Sequence, residues 1–222
     1  MTVAALVLSS ALGAFAAEGP VVALDPGHGG EDMGQRIHGV HEIEFALDLA
    51  TRTAAALKAR GITPFLTRFK DEFVPLSNRV LEAEGVGATI FLSIHLDNNP
   101  QRSGRGVMLW VYGRNSSIPK GPPRRTGERM LEAPPKEQIA KSRRLAELIQ
   151  LKLKKAGIRG ASYVDRGPFA VLKGPGMASV LVEAGNLRDA KEAELMKSPA
   201  FRDKLAATLA DAVQAYSSGA SR

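Results

Sequence analysis

Val21-Val22-Ala23-Leu24-Asp25-Pro26-Gly27-His28-Gly29-Gly30 is a short apolar run that ends in Asp-Pro and delivers one histidine into a loop of three glycines. The run reads as a buried strand, and the Gly and Pro residues as its end. In an α/β sheet, residues at strand ends sit where ligands bind. Glycines on both sides leave the His28 imidazole accessible and let other groups approach it closely. A histidine after a strand also serves as a plain turn residue, so His28 acquires a role only if partners come from elsewhere in the chain.

Downstream, Ile43, Phe45, Ala46, Leu47, Ala50, Ala54 and Leu57 recur at helical spacing and predict a helix over 42–59, closed by Arg60-Gly61. Residues 62–67 read as a second strand, placed at an edge by Pro64. A helix is expected over 75–83, and the nearly unbroken apolar run 88–94 reads as a central strand covered on both faces. Further strands are expected at 106–112, 170–172 and 179–182, with helices over 136–156 and 193–216, the last broken at Ser198-Pro199. Strands alternating with helices indicate an α/β fold: a twisted, mostly parallel central sheet of about six strands flanked by helices, in a single domain.

A chain of 222 residues buries enough surface to fold without staples. It has no cysteine, which excludes disulfides, thiolate metal sites and cysteine nucleophiles. A transition-metal site must then use carboxylates and the four histidines 28, 38, 41 and 95. Residues 1–17 are uncharged and apolar and end in Ala14-Phe15-Ala16-Ala17, which reads as a signal peptide with an A-x-A cleavage site, although no Lys or Arg precedes the apolar run. The mature domain is then 18–222, exported and without a membrane span. The net charge of +7 sits largely in residues 113–144, where nine Lys and Arg face three Glu. Residues 113–135 form a basic, Pro-rich insertion. Such a patch suits an anionic partner. It has no interleaved aromatics, which argues against a nucleic-acid stacking platform.

Four residues combine the right chemistry with the right placement. His28, His95 and Glu183 each follow an apolar strand, and Glu42 opens the first long helix. Three strand ends on one rim and one helix start can converge on a single crevice. Two imidazoles and one carboxylate are a familiar catalytic zinc set, and the carboxylate left over would serve as a base. Each residue also has a plain alternative: satisfied polar groups for the histidines, and a dipole-favoured helix acid for Glu42. Glu183, directly after a buried strand, needs a partner in any reading.

The segments Asp25-Pro26-Gly27-His28-Gly29-Gly30, Glu42-Ile43-Glu44-Phe45-Ala46-Leu47, Leu66-Thr67-Arg68, Ser93-Ile94-His95 and Leu181-Val182-Glu183-Ala184-Gly185 occur in that order. Together they resemble the motifs of the zinc-dependent N-acetylmuramoyl-L-alanine amidases of the bacterial cell wall, over about residues 21–216. The resemblance implies one Zn²⁺ per chain, held by His28, Glu42 and His95, with Glu183 as catalytic base. It implies hydrolysis of the amide between the lactyl group of N-acetylmuramic acid and L-alanine in peptidoglycan. The expected protein is a monomer of the periplasm or cell envelope with peptidoglycan as its partner and no nucleic-acid partner; no activator protein is identified. Some members of the family carry a segment that covers the active site at the position of the basic insertion; attraction to anionic wall polymer is the simpler role here.

The chain departs from the family pattern in two places. The family often has Phe and then Ser-Asn after V-E-x-G, where this chain has Asn186-Leu187-Arg188-Asp189. The family's helix usually opens Glu-Lys-Asp, and Glu42-Ile43-Glu44 here leaves Glu44 as a second-choice ligand. Residues two apart on a helix point to different faces, so only one of the two glutamates can serve. His38 and His41 match no family position and read as loop residues. Arg68 and Arg79 read as structural ion pairs in preference to contacts with substrate carboxylates. Asp25 either orients the His28 ring or shapes the turn.

Overall fold

The computed structural model describes residues 19–114 and 128–219. The signal-peptide reading of residues 1–17 and the core of the basic insertion lie outside the described residues. The elements in chain order are β1 (Val21–Pro26), β2 (Arg36–Ile37), β3 (Val40–His41), α1 (Glu42–Lys58), β4 (Thr63–Leu66), α2 (Leu76–Gly85), β5 (Ile90–Asp97), β6 (Val107–Tyr112), α3 (Lys136–Lys155), β7 (Gly160–Gly167), β8 (Ala178–Asn186), α4 (Ala190–Lys197) and α5 (Pro199–Ser217).

Six strands form one sheet in the order β4-β1-β5-β8-β6-β7, and β2 and β3 form a small hairpin. Strands β4, β1, β5 and β8 run parallel, β6 is antiparallel to β8, and β7 is parallel to β6. The carboxyl ends of β1, β5 and β8 therefore share one rim with the amino ends of β6 and β7. β4 lies at the edge, as its Pro64 requires, because proline cannot donate to a ladder on both sides. β5 sits between β1 and β8 and is buried along nearly its whole length.

Two expectations fail. Residues Ala170–Leu172 form a 3₁₀ turn, not a strand. The sixth strand is β7, whose residues are exposed or half-buried up to Gly167 and carry no apolar alternation for a sequence pattern to detect. The last helical stretch starts earlier than 193, because the Asp189 side chain accepts from the Lys191 and Glu192 amides and caps α4. The Ser198-Pro199 break separates α4 from α5, with Ser198 capping the second helix.

Side-chain alternation divides the sheet into two faces. Val22, Leu24, Ile90, Leu92, Ile94, Val180 and Val182 pack under α1, α3 and α5 in the larger core. Ala23, Phe91, Trp110 and Leu181 pack against Val80 and Ala83 of α2 and against Val171 and Leu172 of the 3₁₀ turn. Continuing that second alternation by two residues leads from Ala23 to Asp25, from Phe91 through Ser93 to His95, and from Leu181 to Glu183. The smaller core thus ends, toward the rim, in polar groups.

Candidate metal centre and active-site crevice

Beneath the rim lies a buried polar foundation. Asp25 is fully buried; its Oδ1 accepts from Thr67 Oγ1 at 2.6 Å and from Arg79 Nη1 at 2.9 Å, and its Oδ2 accepts from Ser93 Oγ at 2.7 Å. Burial works against its ionisation, but Arg79 and the two hydroxyls outweigh this and hold the carboxyl below the usual range. Arg79 also donates to the carbonyls of Pro26 and His28, both at 2.7 Å. Arg68, equally buried, donates to the carbonyls of Pro26, Gly27 and Ile43. Both arginines hold the structure, but only Arg79 does so through the expected ion pair; Arg68 binds backbone carbonyls alone. Asp25 does not touch the His28 ring; it shapes the turn through Arg79.

This clamp holds His28 at φ 59°, a left-handed conformation that a non-glycine residue adopts only where its surroundings impose it. A Cβ on Gly27 would overlap the His95 ring, and one on Gly34 would press on the His28 ring and Glu42 Oε2, so both glycines make room for the cluster. The residue that orients the imidazole is Asp32, which was not singled out from the sequence. Its Oδ1 lies 2.9 Å from His28 Nδ1, so the other ring nitrogen, Nε2, faces the crevice.

Glu42 opens α1 and is buried. Its Oε2 accepts from the Gln35 amide at 2.8 Å and its Oε1 from the Leu96 amide at 3.0 Å. The same Oε1 lies 3.1 Å from His28 Nε2 and 3.1 Å from His95 Nδ1, and the two nitrogens are 3.2 Å apart. Glu44 is not part of this cluster; it is exposed and pairs with His41 Nδ1 at 3.0 Å. His38 occupies the turn of the β2–β3 hairpin, and His41 is the last residue of β3, not a loop residue.

Electrostatics tie the cluster together. Burial disfavours charge on Glu42, but the His28 and His95 contacts outweigh it and drive its carboxyl far down. Burial likewise opposes charge on His28, while Asp32 and Glu42 push its imidazole up to about 10. Such a basic nitrogen between two carboxylates is a strong donor for any cation that displaces its proton.

Glu183 stands beside His95 in the β5–β8 register, so both side chains project from the same side of the sheet. Its Oε2 is buried and takes no hydrogen bond from the described residues. Burial, reinforced by the charges of Glu42 and Asp97, raises its carboxyl well above the usual range. His28, Gln35, Glu42, His95, Leu96, Asp97, Asn98, Asn99 and Glu183 line an open crevice of about 310 Å³. The structure thus brings together all four residues singled out from the sequence, with His28, Glu42 and His95 grouped as a set that could hold a metal ion.

The N-acetylmuramoyl-L-alanine amidase family model matches residues 22–215. The chain belongs to this family. It is 34% identical over 218 residues to the N-acetylmuramoyl-L-alanine amidase AmiC of Neisseria meningitidis, covering 89% of this chain and 52% of that protein. It is 33% identical to AmiA of Escherichia coli, covering 88% of this chain and 75% of that one. The chain thus spans about half the length of the meningococcal relative. Among solved structures it is similar to AmiC2 of Nostoc punctiforme, with a TM-score of 0.71 at 28% identity over 89% of this chain and 96% of that one. The fold is also that of the Clostridium difficile 630 amidase, with a TM-score of 0.73 at 22% identity, covering 90% of this chain and 97% of that one. The matched span takes in every residue that lines the crevice.

Proposed function

We propose that the chain is a zinc-dependent amidase that hydrolyses the amide between the lactyl group of N-acetylmuramic acid and L-alanine in peptidoglycan, with His28, Glu42 and His95 as metal ligands and Glu183 as base. The observation that carries this reading is the triangle of His28 Nε2, His95 Nδ1 and Glu42 Oε1, with sides of 3.1–3.2 Å, beside the unpartnered Oε2 of Glu183. Donors about 2.0–2.1 Å from a tetrahedral centre stand about 3.3–3.4 Å from one another, so the donor set fits zinc with little adjustment. Two imidazoles and one carboxylate are also a donor set that catalytic zinc takes.

A zinc ion held by His28, Glu42 and His95 would supply Lewis acidity for the scissile carbonyl and for the attacking water. The rest is done by the chain. Asp32 holds the Nδ1 side of His28, so that the Nε2 lone pair stays on the crevice side. The Gln35 and Leu96 amides fix both oxygens of Glu42. Glu183 Oε2 takes the proton of the attacking water as its oxygen adds to the carbonyl carbon. The same oxygen returns that proton to the amide nitrogen as the C–N bond breaks, which leaves a free L-alanine amine and the lactyl carboxylic acid, whose remaining proton passes to solvent. Burial raises the proton affinity of the Glu183 carboxylate, which strengthens it as the acceptor in the first half of this transfer.

This reading places the protein outside the cytoplasmic membrane, in the periplasm or cell envelope, acting as a monomer with 18–222 as its catalytic domain. The uncharged apolar residues 1–17 support export, and among the described residues no helix is long and apolar enough to cross a membrane. The test is digestion of purified peptidoglycan with mass spectrometry of the products. Free stem peptides beginning with L-alanine support the amidase; release of sugar fragments or of peptides cut elsewhere overturns it.

A further inference from the structure

We infer that Arg188 forms a carboxylate-binding subsite at the lip of the crevice and makes the enzyme prefer stem peptides with a free carboxylate over their amidated forms. This inference rests on the amidase reading above and adds a specificity to it.

Arg188 stands in the turn after β8, within the stretch 186–189 where this chain departs from the family's pattern. It is exposed, yet it is not a loose surface side chain. Its Nε donates to Asn98 Oδ1 at 2.6 Å, and Asn98 Nδ2 donates to Gln35 Oε1 at 2.6 Å. The Asn98 amide is fixed in turn by Asp97 Oδ1 at 2.7 Å. On the backbone side, the Arg188 amide donates to Asn186 Oδ1 at 2.8 Å, and Asn186 Nδ2 donates to the Asn99 carbonyl at 2.6 Å. Gln35, Asp97, Asn98 and Asn99 all line the crevice, so the guanidinium is fastened directly to its wall.

The fastening uses a neutral amide on one edge of the guanidinium. Nη1 and Nη2 take no hydrogen-bond partner among the described residues, and no carboxylate there lies within ion-pair distance of them. A held guanidinium with an open two-nitrogen edge is matched to a carboxylate, which it grips through two parallel hydrogen bonds. In the proposed substrate the glycan is neutral and the lactyl carboxyl is tied up in the scissile amide. A free carboxylate can therefore come only from the stem peptide.

The test compares kcat/KM of the zinc-loaded enzyme for two muramoyl peptides that differ only in whether the second residue carries a free carboxylate or its amide. The native chain is expected to favour the free acid by about tenfold or more, a typical value for a charge-assisted contact. Arg188→Gln should raise KM for the acid with little change in kcat and remove the preference, while Arg188→Lys should keep part of it. Equal turnover of the two peptides by the native chain, or an unchanged preference in Arg188→Gln, overturns the subsite and leaves the amidase standing. Cleavage of neither peptide at the muramoyl amide overturns both readings.

Discussion

Arg79 Nη2 donates to the carbonyl oxygen of His28 at 2.7 Å, so a side chain buried on α2 fixes the backbone of a residue that faces the crevice. The same guanidinium pairs with Asp25 and binds the Pro26 carbonyl. The shape of the histidine loop is therefore set from below, by a buried ion pair the substrate never meets.

Arg79→Ala should remove three of these contacts at once and leave Asp25 buried without its cation. Breaking a buried pair costs about 3–5 kcal/mol, which for a domain of this size lowers Tm by roughly 6–20 °C. Thermal unfolding followed by circular dichroism measures this. A shift below about 2 °C would mean that the clamp contributes nothing.

The Asp25 carboxyl is held below its ordinary value of 3.8, so its contribution has a definite sign with pH. A depressed carboxylate stabilises fully above the unfolded value, and its contribution is lost as pH falls through the folded value. Urea unfolding of the native chain and Asp25→Asn should show a constant gap of about 3 kcal/mol from pH 7 to about 5. That gap should narrow below about pH 4. A gap that stays constant to pH 3 would count against the ion pair.

Asp32 touches only the far nitrogen of the His28 ring. Asp32→Asn should weaken zinc binding by about 10–100-fold, the usual effect of losing a carboxylate behind a metal-binding histidine, with the fold unchanged. Competition against a chelator with a metal-sensitive dye reads the affinity. Native affinity in the variant would show that the ring is oriented by other means.

His28→Ala and His95→Ala each remove one corner of the donor triangle. Two donors hold zinc poorly, so metal content should fall from about one per chain to near zero while the proteins stay folded. Elemental analysis after gel filtration decides this; full occupancy in either variant would remove that residue from the site.

Much of the crevice could be read from residue order because its members end buried apolar runs. His95 and Glu183 extend the alternation of β5 and β8, and a charged or ionisable group in that position demands an explanation. Asp32 has no such signature, since it sits in a glycine loop with neither period, and only its spacing of four from His28 hints at a partner. The polar wall of Gln35, Asn98 and Asn99 was invisible for the same reason, although the departure at 186–189 marked the turn that packs against it. The two misjudged elements have one physical cause. A short apolar run such as 170–172 plugs a core equally well as a strand or as a 3₁₀ turn, and an exposed edge strand such as β7 needs no apolar alternation.

The central claim is that Glu183 moves the proton while three other residues hold the metal, and Glu183→Gln separates the two. The variant should retain about one zinc per chain and an unchanged fold. Its release of L-alanine-terminated stem peptides from purified peptidoglycan, counted by mass spectrometry, should drop by about 10²–10⁴-fold, the contribution of a positioned base. Release at the native rate would contradict the assignment, and loss of zinc together with activity would make Glu183 a ligand and not the base.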